Sequence, residues 1–418
     1  MIVREVLDNG LRLVTERMDH VRSASVGVWL TRGSRHEPAE QGGIAHFIEH
    51  MLFKGSESRS AEDIAQAIDS VGGHLDAFTA KEYAAYYIKV LDEHLPLAWD
   101  VLSDIVLRPA FREDDIAREK KVILEEIKMV EDTPDDLVHE LFTQSLWEGH
   151  PIGRPILGSP ETVDGLDRRT LFEFFRRTYT APHLVIVAVG NVQHDAVREL
   201  VEKTFGRLPA AGSDPPDTAP AVLPQVLIRA KELEQSHVCI GAASYPQSHD
   251  DRYASYVLNT MLGGSMSSRL FQNVREKRGL AYAVFSSLAA YRDTGSVTIY
   301  AGCANEAVPE LIDVVVEEVR GMKGDIPPSE LRRAKDHLKG SLMLSLESTS
   351  SRMSNLARQE IYFDRQFGLD ETLEGIENVT VEEVRRVARE LLSKGALGAT
   401  VLGQTNGFTL AKERLDLG

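Results

Sequence analysis

The sequence predicts an α+β fold built twice, as two homologous domains. Three observations carry this. A chain of 418 residues is too long for one core of ordinary size, and two domains of roughly 200 residues each are the natural solution. Five of its 17 prolines (Pro209, Pro215, Pro216, Pro220 and Pro224) then crowd the middle of the chain, together with Gly212, Ser213 and two aspartates. Such a stretch reads as an extended, solvated linker. Finally, the two halves share a pattern. LDRRTLFEFFRRTY followed by LVIVAVGNV in the first recurs as VTVEEVRRVARELL followed by LGATVLGQT in the second. At an offset of 213 residues, Gly190 becomes Gly403 and Leu171 becomes Val384. Leu97, Val101, Leu102 and Ile105 recur as Leu311, Val315, Val316 and Val319, and Ile116 as Leu331 after a one-residue gap. A period this long marks a duplicated domain and not a solenoid repeat. The boundaries follow as 1–208 and 226–418, with the linker at 209–225.

Each half mixes helical and strand patterns. Val26–Leu30, Leu75–Thr79 and Tyr86–Leu91 read as strands. Ser60 caps a helix running on through Asp63 that stops at Gly72-Gly73. Long helices follow near Glu93–Leu107 and Glu113–Glu131. Helices packed on a sheet whose strands are partly adjacent in sequence make the class α+β.

Bulk composition excludes several functions. The net charge is −17, which argues against nucleic acid and suits partners or substrates that carry positive charge. Cys239 and Cys303 are far apart and outside any CxxC, so no disulfide framework is expected. MIVREVLDNG holds no apolar stretch of signal length, and no run approaches 18 apolar residues. The expectation is a cytoplasmic protein without a membrane anchor. No GxxxxGK[ST] points to ATP.

The chemistry concentrates in AHFIEHMLFKGS, Ala45 to Ser56. Between Gly42-Gly43 and Gly55, the residues Ile44, Phe47, Ile48, Met51 and Leu52 recur at helical spacing. His46 and His50 are then i and i+4 on one face, with Glu49 on the same side. Two imidazoles so placed can grip one metal ion with a carboxylate alongside, which is the inverted HxxEH order. A catalytic zinc usually takes three protein ligands and keeps one position open, so a third ligand is required. The helix Glu113–Glu131 supplies it. If Ile116, Val122, Ile123, Ile127 and Val130 mark its buried side, Glu126 and Glu119 lie along that side, while Glu125 points outward beside Lys121. Two inward carboxylates seven apart are costly unless something meets them. Glu126 is read as ligand, and Glu119 as the partner of a ligand histidine's other N–H or, alternatively, as a helix-surface charge.

HFIEH followed 76 residues after His50 by Glu126 of VILEEI resembles the M16 zinc metallopeptidases, the group of pitrilysin and insulin-degrading enzyme. GGIAHFIEHMLFKGS, GGHLDAFTAKEYAAYY and GRPILGSPE resemble the processing-peptidase branch and its short bacterial relatives, and the resemblance covers nearly the whole chain. It implies two homologous domains, each a mainly antiparallel β-sheet covered by helices. It also implies one zinc per chain on His46, His50 and Glu126, with Glu49 as general base and Glu119 as an additional acidic residue. In the second half, RLFQNVREKRGLAYAVFSS is similar to the segment carrying an Arg…Tyr pair, here Arg275 and Tyr282, which in relatives contacts substrate near the scissile bond. From the residues alone, Arg275 is a surface cation in REKRG. LGGSMSSRLFQ (Leu262–Gln272) resembles a shortened form of the glycine-rich loop of the non-catalytic processing subunit. The segment His74–Ala80 looks like the edge strand on which relatives lay their substrate, with Ala77, Phe78 and Thr79 as contacts; an ordinary core strand fits it too. The resemblance implies a peptidase of extended peptides, and a homodimer in which the zinc of one chain faces the Arg275/Tyr282 domain of the other. The rival readings are a non-catalytic peptide-binding or structural subunit, and a chain active only beside a distinct partner.

Overall fold

The computed structural model of the chain describes residues 1–210, 217–393, 395–404 and 407–417. The fold is two α+β units, but these are not simply the two sequence halves. The first unit comprises Met1–Lys128, Arg154–Pro216 and Ser345–Gln366; the second comprises Met129–Gly153, Asp217–Leu344 and Phe367–Gly418. One helix from each half of the chain therefore belongs to the other half's unit: Thr349–Phe363 to the first, Pro134–Leu146 to the second.

The first unit has one six-stranded sheet: β1 (Ile2–Val6), β2 (Arg12–Arg17), β3 (Ser23–Leu30), β4 (His74–Thr79), β5 (Ala84–Leu91) and β6 (Leu184–Gly190), in the order β1-β2-β6-β3-β5-β4. Only β2 and β6 run parallel. The central strand β6 is buried along its whole length, because both sheet faces are covered. Leu184, Ile186 and Ala188 face one core with the helices Ile44–Leu52, Leu95–Leu107 and Arg168–Thr178. Val185, Val187 and Val189 face a second, smaller core closed by Met353, Leu356 and Ile361 of the helix Thr349–Phe363. That helix is tied down at both ends. The Ser25 hydroxyl donates to Thr349 Oγ1 over 2.9 Å, and the fully buried Glu360 takes a two-pronged ion pair from Arg4, both bonds 2.8 Å.

The second unit repeats the plan with β7 (Val226–Ala230), β8 (Gln235–Ser244), β9 (Ala281–Ala290), β10 (Gly295–Ala304) and β11 (Gly398–Gly403), ordered β7-β11-β8-β10-β9. Here Pro134–Leu146 closes the outer face, packing Leu137, Val138 and Phe142 against Cys239, Tyr300 and Leu402. The repeat is exact enough to share its tight spots. Gly190 and Gly403 both have positive φ (127° and 156°), and a Cβ on either would strike Ser23 or Ser236, residues that are themselves 213 apart.

The predicted strands and helices recur with small shifts at their ends. Ser60 and Asp63 form a reciprocal capping box at the start of the helix Ala61–Asp69. One register needed correction. The helix Leu95–Leu107 matches Val308–Gly321 at the same offset of 213, pairing Pro96 with Pro309 at the first turn, so Leu97 corresponds to Glu310 and not to Leu311. Of the linker, 211–216, which includes Gly212, Ser213, Pro215 and Pro216, lies outside the described residues. Residues 217–225 have no regular structure, yet they are not a free tether: Leu223 N donates to Leu146 O (3.0 Å) and Val222 packs into the outer core of the second unit.

Arg4 and Glu360 are unequally exposed, and this orders the cost of breaking their pair. Arg4→Met leaves a carboxylate that cannot reach water to the longer contacts of Arg12 (3.9 Å) and Gln366 (3.3 Å), and is expected to cost on the order of 3 kcal/mol. Glu360→Gln leaves a guanidinium that can turn outward, at about 1 kcal/mol. Urea unfolding of the two variants checks this, and the reverse order would contradict it.

Candidate metal centre

The histidine helix, Ile44–Leu52, begins at a backbone position that only glycine suits. Gly43 has φ 91°, and a Cβ there would lie 2.5 Å from Leu157 O. Its own side chain can offer no cap, so the first free N–H groups are met from outside. Gly43 N and Ala45 N donate to the two carboxylate oxygens of Glu37, each over 2.9 Å. Glu37 is 5% exposed. Burial pushes its carboxyl up to about 7, against the pull of those two bonds and of the Arg154 and Lys81 charges. Ile44, Phe47, Ile48, Met51 and Leu52 fix the apolar side in the core. His46, Glu49 and His50 are left on the other side, the two imidazole centroids 4.6 Å apart. Beyond the helix, the chain is pinned by the fully buried Asp104, which accepts from Ser58, Arg59 and Arg108, and from Ser56.

The helix Glu113–Asp132 brings the carboxylates. Ile116, Glu119 and Ile123 form its buried stripe, and Glu126 stands two turns beyond Glu119 at the half-exposed edge of that stripe. Val122 was expected on the buried side but is 43% exposed. Glu125 does face outward, paired with Lys128 (2.7 Å) and not with Lys121. In the second unit the residue matching Glu119 is the buried Ala334, and Glu126 corresponds to Ser341, so the repeated helix carries no carboxylate at either place.

Glu126 Oε2 lies 3.6 Å from His46 Nε2 and 3.6 Å from His50 Nε2. These separations are too long for hydrogen bonds. They match two atoms held about 2.0–2.1 Å from one tetrahedral zinc, which lie roughly 3.4 Å apart. Among the described residues this is the one group of three or more such side chains able to share an ion. Burial, then the neighbouring His50, pushes His46 down to about 4, so its lone pair stays available. His50 Nδ1 sits 3.1 Å from Glu119 Oε2, which fixes the ring with Nε2 facing Glu126. Glu119 is neutralised in turn by Lys54, at 2.9 Å. His46 Nδ1 is buried without a hydrogen-bond partner, so packing alone orients that ring. The donor set fits zinc.

Glu49 does not join the three. Its Oε2 accepts a 2.5 Å hydrogen bond from the Thr79 hydroxyl, and burial raises its carboxyl above the ordinary range while that bond lowers it. Thr79 ends β4, one of the two edge strands of the sheet. Ala80 N donates to Tyr83 O, so by the two-residue alternation the main chains of Ala77 and Thr79 face the open side. Ala77 N is met there only by its neighbour's carboxylate, Asp76 Oδ1, at 2.8 Å. Phe78 is turned away: its ring lies between Tyr83 and Tyr87, toward the Thr349–Phe363 side.

Arg275 and Tyr282 are in the second unit and touch each other. Arg275 Cζ stands 4.4 Å from the Tyr282 ring centroid, and Tyr282, at the start of β9, is 79% exposed. The preceding glycines serve packing: Gly263 O accepts from Ser286 N of β9, and a Cβ on Gly263 would sit 2.5 Å from that nitrogen.

Residues 12–160 match Insulinase (Peptidase family M16), and residues 165–338 match Peptidase M16 inactive domain. The chain belongs to peptidase family M16. Its similarity to other members spans nearly the whole length. It is 43% identical over 395 residues to a Bacillus subtilis protein named "Uncharacterized zinc protease YmxG", covering 94% of this chain and 96% of that one. It is 45% identical over 408 residues to an "Uncharacterized zinc protease" of Mycobacterium tuberculosis, covering 96% and 92%. Two solved structures share the fold at low identity. One is a peptidase M16 inactive domain from Pseudomonas fluorescens (TM-score 0.91, 21% identical, 98% and 99% covered), the other a protease from Helicobacter pylori (0.89, 24%, 96% and 99%). The group His46, His50 and Glu126 is thus placed by Glu37 and Lys54 as well as by the motif, and Glu49 by Thr79. The sequence reading assigned no role to Glu37 or Lys54 and took Thr79 for a substrate contact. Only Lys54 left a local trace, one helical turn beyond His50.

Glu37 gives this M16 helix a pH signature. Its carboxyl is raised from 4.5 to about 7, so the fold prefers it protonated. That contribution to stability is complete below about pH 4.5 and is lost as pH rises through about 7, on the order of 3 kcal/mol in all. Glu37→Gln is expected to flatten the stability curve across that window. Unfolding measured at several pH values checks it, and an unchanged slope would contradict it.

Proposed function

We propose that the chain is a zinc-dependent endopeptidase that hydrolyses extended or unfolded peptides. The observation that carries this is the pairing of a three-ligand group, His46, His50 and Glu126, with a separate half-buried carboxylate, Glu49, tied to an open sheet edge. Zinc held by those three residues would supply Lewis-acid polarisation of water and of the peptide carbonyl. The chain does the rest. A peptide strand pairs with the main chains of Ala77 and Thr79, which reads little sequence and demands an unfolded substrate. Glu49 uses Oε1, the oxygen not engaged by Thr79, to take a proton from the attacking water and return it to the leaving amine. Its raised pKa supports that shuttle. Glu119 and Lys54 keep His50 in one tautomer.

We further propose a homodimer with composite sites, in which the exposed Tyr282 hydroxyl and Arg275 of a second copy donate to the oxyanion or to the adjacent substrate backbone. The net charge of −17 supports a preference for basic peptides. Both cysteines are free and buried, which supports a cytoplasmic setting; among the described residues no helix is long and apolar enough to cross a membrane.

Purified chain should hold one zinc and cleave an unstructured basic peptide until a chelator is added. Glu126→Ala should lose the metal. Glu49→Gln should keep it and lose about 10²–10⁴-fold in kcat. Elemental analysis and peptide hydrolysis read both, and a zinc-loaded Glu49→Gln chain cleaving at the wild-type rate would refute the general base. Mixing Glu49→Gln with Tyr282→Phe chains should recover part of the activity if sites form between copies. No recovery in a confirmed mixed dimer argues against the composite site.

A further inference from the structure

Thr79 combines two features in one residue. Its main chain faces the open edge of β4, where a substrate strand would pair, and its hydroxyl donates to Glu49 Oε2 over 2.5 Å. The geometry follows from the strand. Leu75, Ala77 and Thr79 share one face of β4, and Leu75 and Ala77 pack into the core that also holds the histidine helix. Thr79, last on that face, meets the helix where its polar side begins. Among the described residues Glu49 is hydrogen-bonded through Oε2, and that bond comes from the substrate-docking strand and not from the metal-bearing helix itself. Moreover, β4 has a strand on one side only, and because Thr79 stands opposite Ala84 in a non-hydrogen-bonded pair, its end is held to β5 by the turn Ala80 N to Tyr83 O.

We infer that Thr79 is a positioning residue: it sets the carboxylate of Glu49 and couples that orientation to the strand on which the peptide docks. This rests on the peptidase reading above. A peptide that adds to β4 extends the ladder along Ala77 and Thr79 and so stiffens the donor of Glu49's hydrogen bond. The base is then best aligned when the edge is filled with a properly paired strand. A poorly paired peptide leaves β4 one-sided and Glu49 less well aimed.

The test uses Thr79→Val, which keeps the shape and removes the hydroxyl, and Thr79→Ser, which restores it. With zinc loaded, Thr79→Val should bind one metal per chain and lower kcat by on the order of 10²-fold with little change in KM, because a misaimed group costs that much. Thr79→Ser should recover most of the loss. Crystal structures of the metal-free proteins give a second readout that needs no activity: Glu49 should keep its place in wild type and Thr79→Ser and turn away in Thr79→Val. A Thr79→Val chain with unchanged kcat, or with raised KM alone, overturns the inference, and so does Glu49 unmoved in its crystal structure. Glu49→Gln is assayed alongside. If it cleaves at the wild-type rate, it is the base assignment that has failed, and the crystal structures still decide whether Thr79 holds Glu49.

Discussion

A strand that is apolar on both faces has to be covered twice, and β6 is such a strand. LVIVAVG puts Leu184, Ile186 and Ala188 on one side and Val185, Val187 and Val189 on the other. At about 25 cal/mol per Å² of apolar surface, leaving either face wet would outweigh most local gains. The inner face is covered by helices close in sequence, among them the histidine helix. The outer face is covered by Thr349–Phe363, whose buried Glu360 carboxylate is met by Arg4 of β1 at 2.8 Å and Arg12 of β2 at 3.9 Å. Everything at the metal centre is built on the inner side of this twice-covered sheet. The apolar stripe of the histidine helix has one place to go, and that decides where His46, Glu49 and His50 point.

The centre itself is a set of titratable groups in a poorly solvated place, each with its own partner. Glu37 is answered by two helix N–H groups, Glu119 by Lys54 and His50, and Glu49 by Thr79. His46, Glu126 and the Nε2 of His50 converge at 3.6 Å from Glu126 to each ring, too far apart to satisfy one another by hydrogen bonds. A shared cation is the economical solution to that remaining imbalance. The second unit has the same helix frame with Ala334 and Ser341 in place of the carboxylates, and so has no such imbalance to resolve.

What could be read from the sequence was what local periodicity records. The i, i+4 histidines, the inward Glu119 and Glu126, the Ser60 cap and the strands of the first sheet all follow from spacing within one element. Val122 misled because a β-branched residue in a helix gives no sign of which side of a wide stripe it occupies. The register of Val308–Gly321 slipped by one because apolar residues crowd that helix, while the decisive marker was the proline at its first turn. Glu37 and Thr79 were beyond reach for a different reason. Their partners lie on other elements, and a carboxylate six residues before a glycine, or a threonine at a strand end, says nothing until the chain is folded. The exchanged helices were the largest omission, since nothing in Pro134–Leu146 or Thr349–Phe363 names the sheet it will cover.

That exchange has a consequence for synthesis on the ribosome. The bond from Ser25 to Thr349 joins residues 324 apart. At roughly 5–20 residues per second, the outer face of the first sheet waits on the order of tens of seconds for the helix that covers it. Val14, Trp29, Val185, Val187 and Val189 form an apolar surface during that interval, and β4 and β1 are open edges beside it. The nascent first half is therefore a natural client for a chaperone, and truncated translation products of this chain carry an uncovered sheet that the full-length protein never shows.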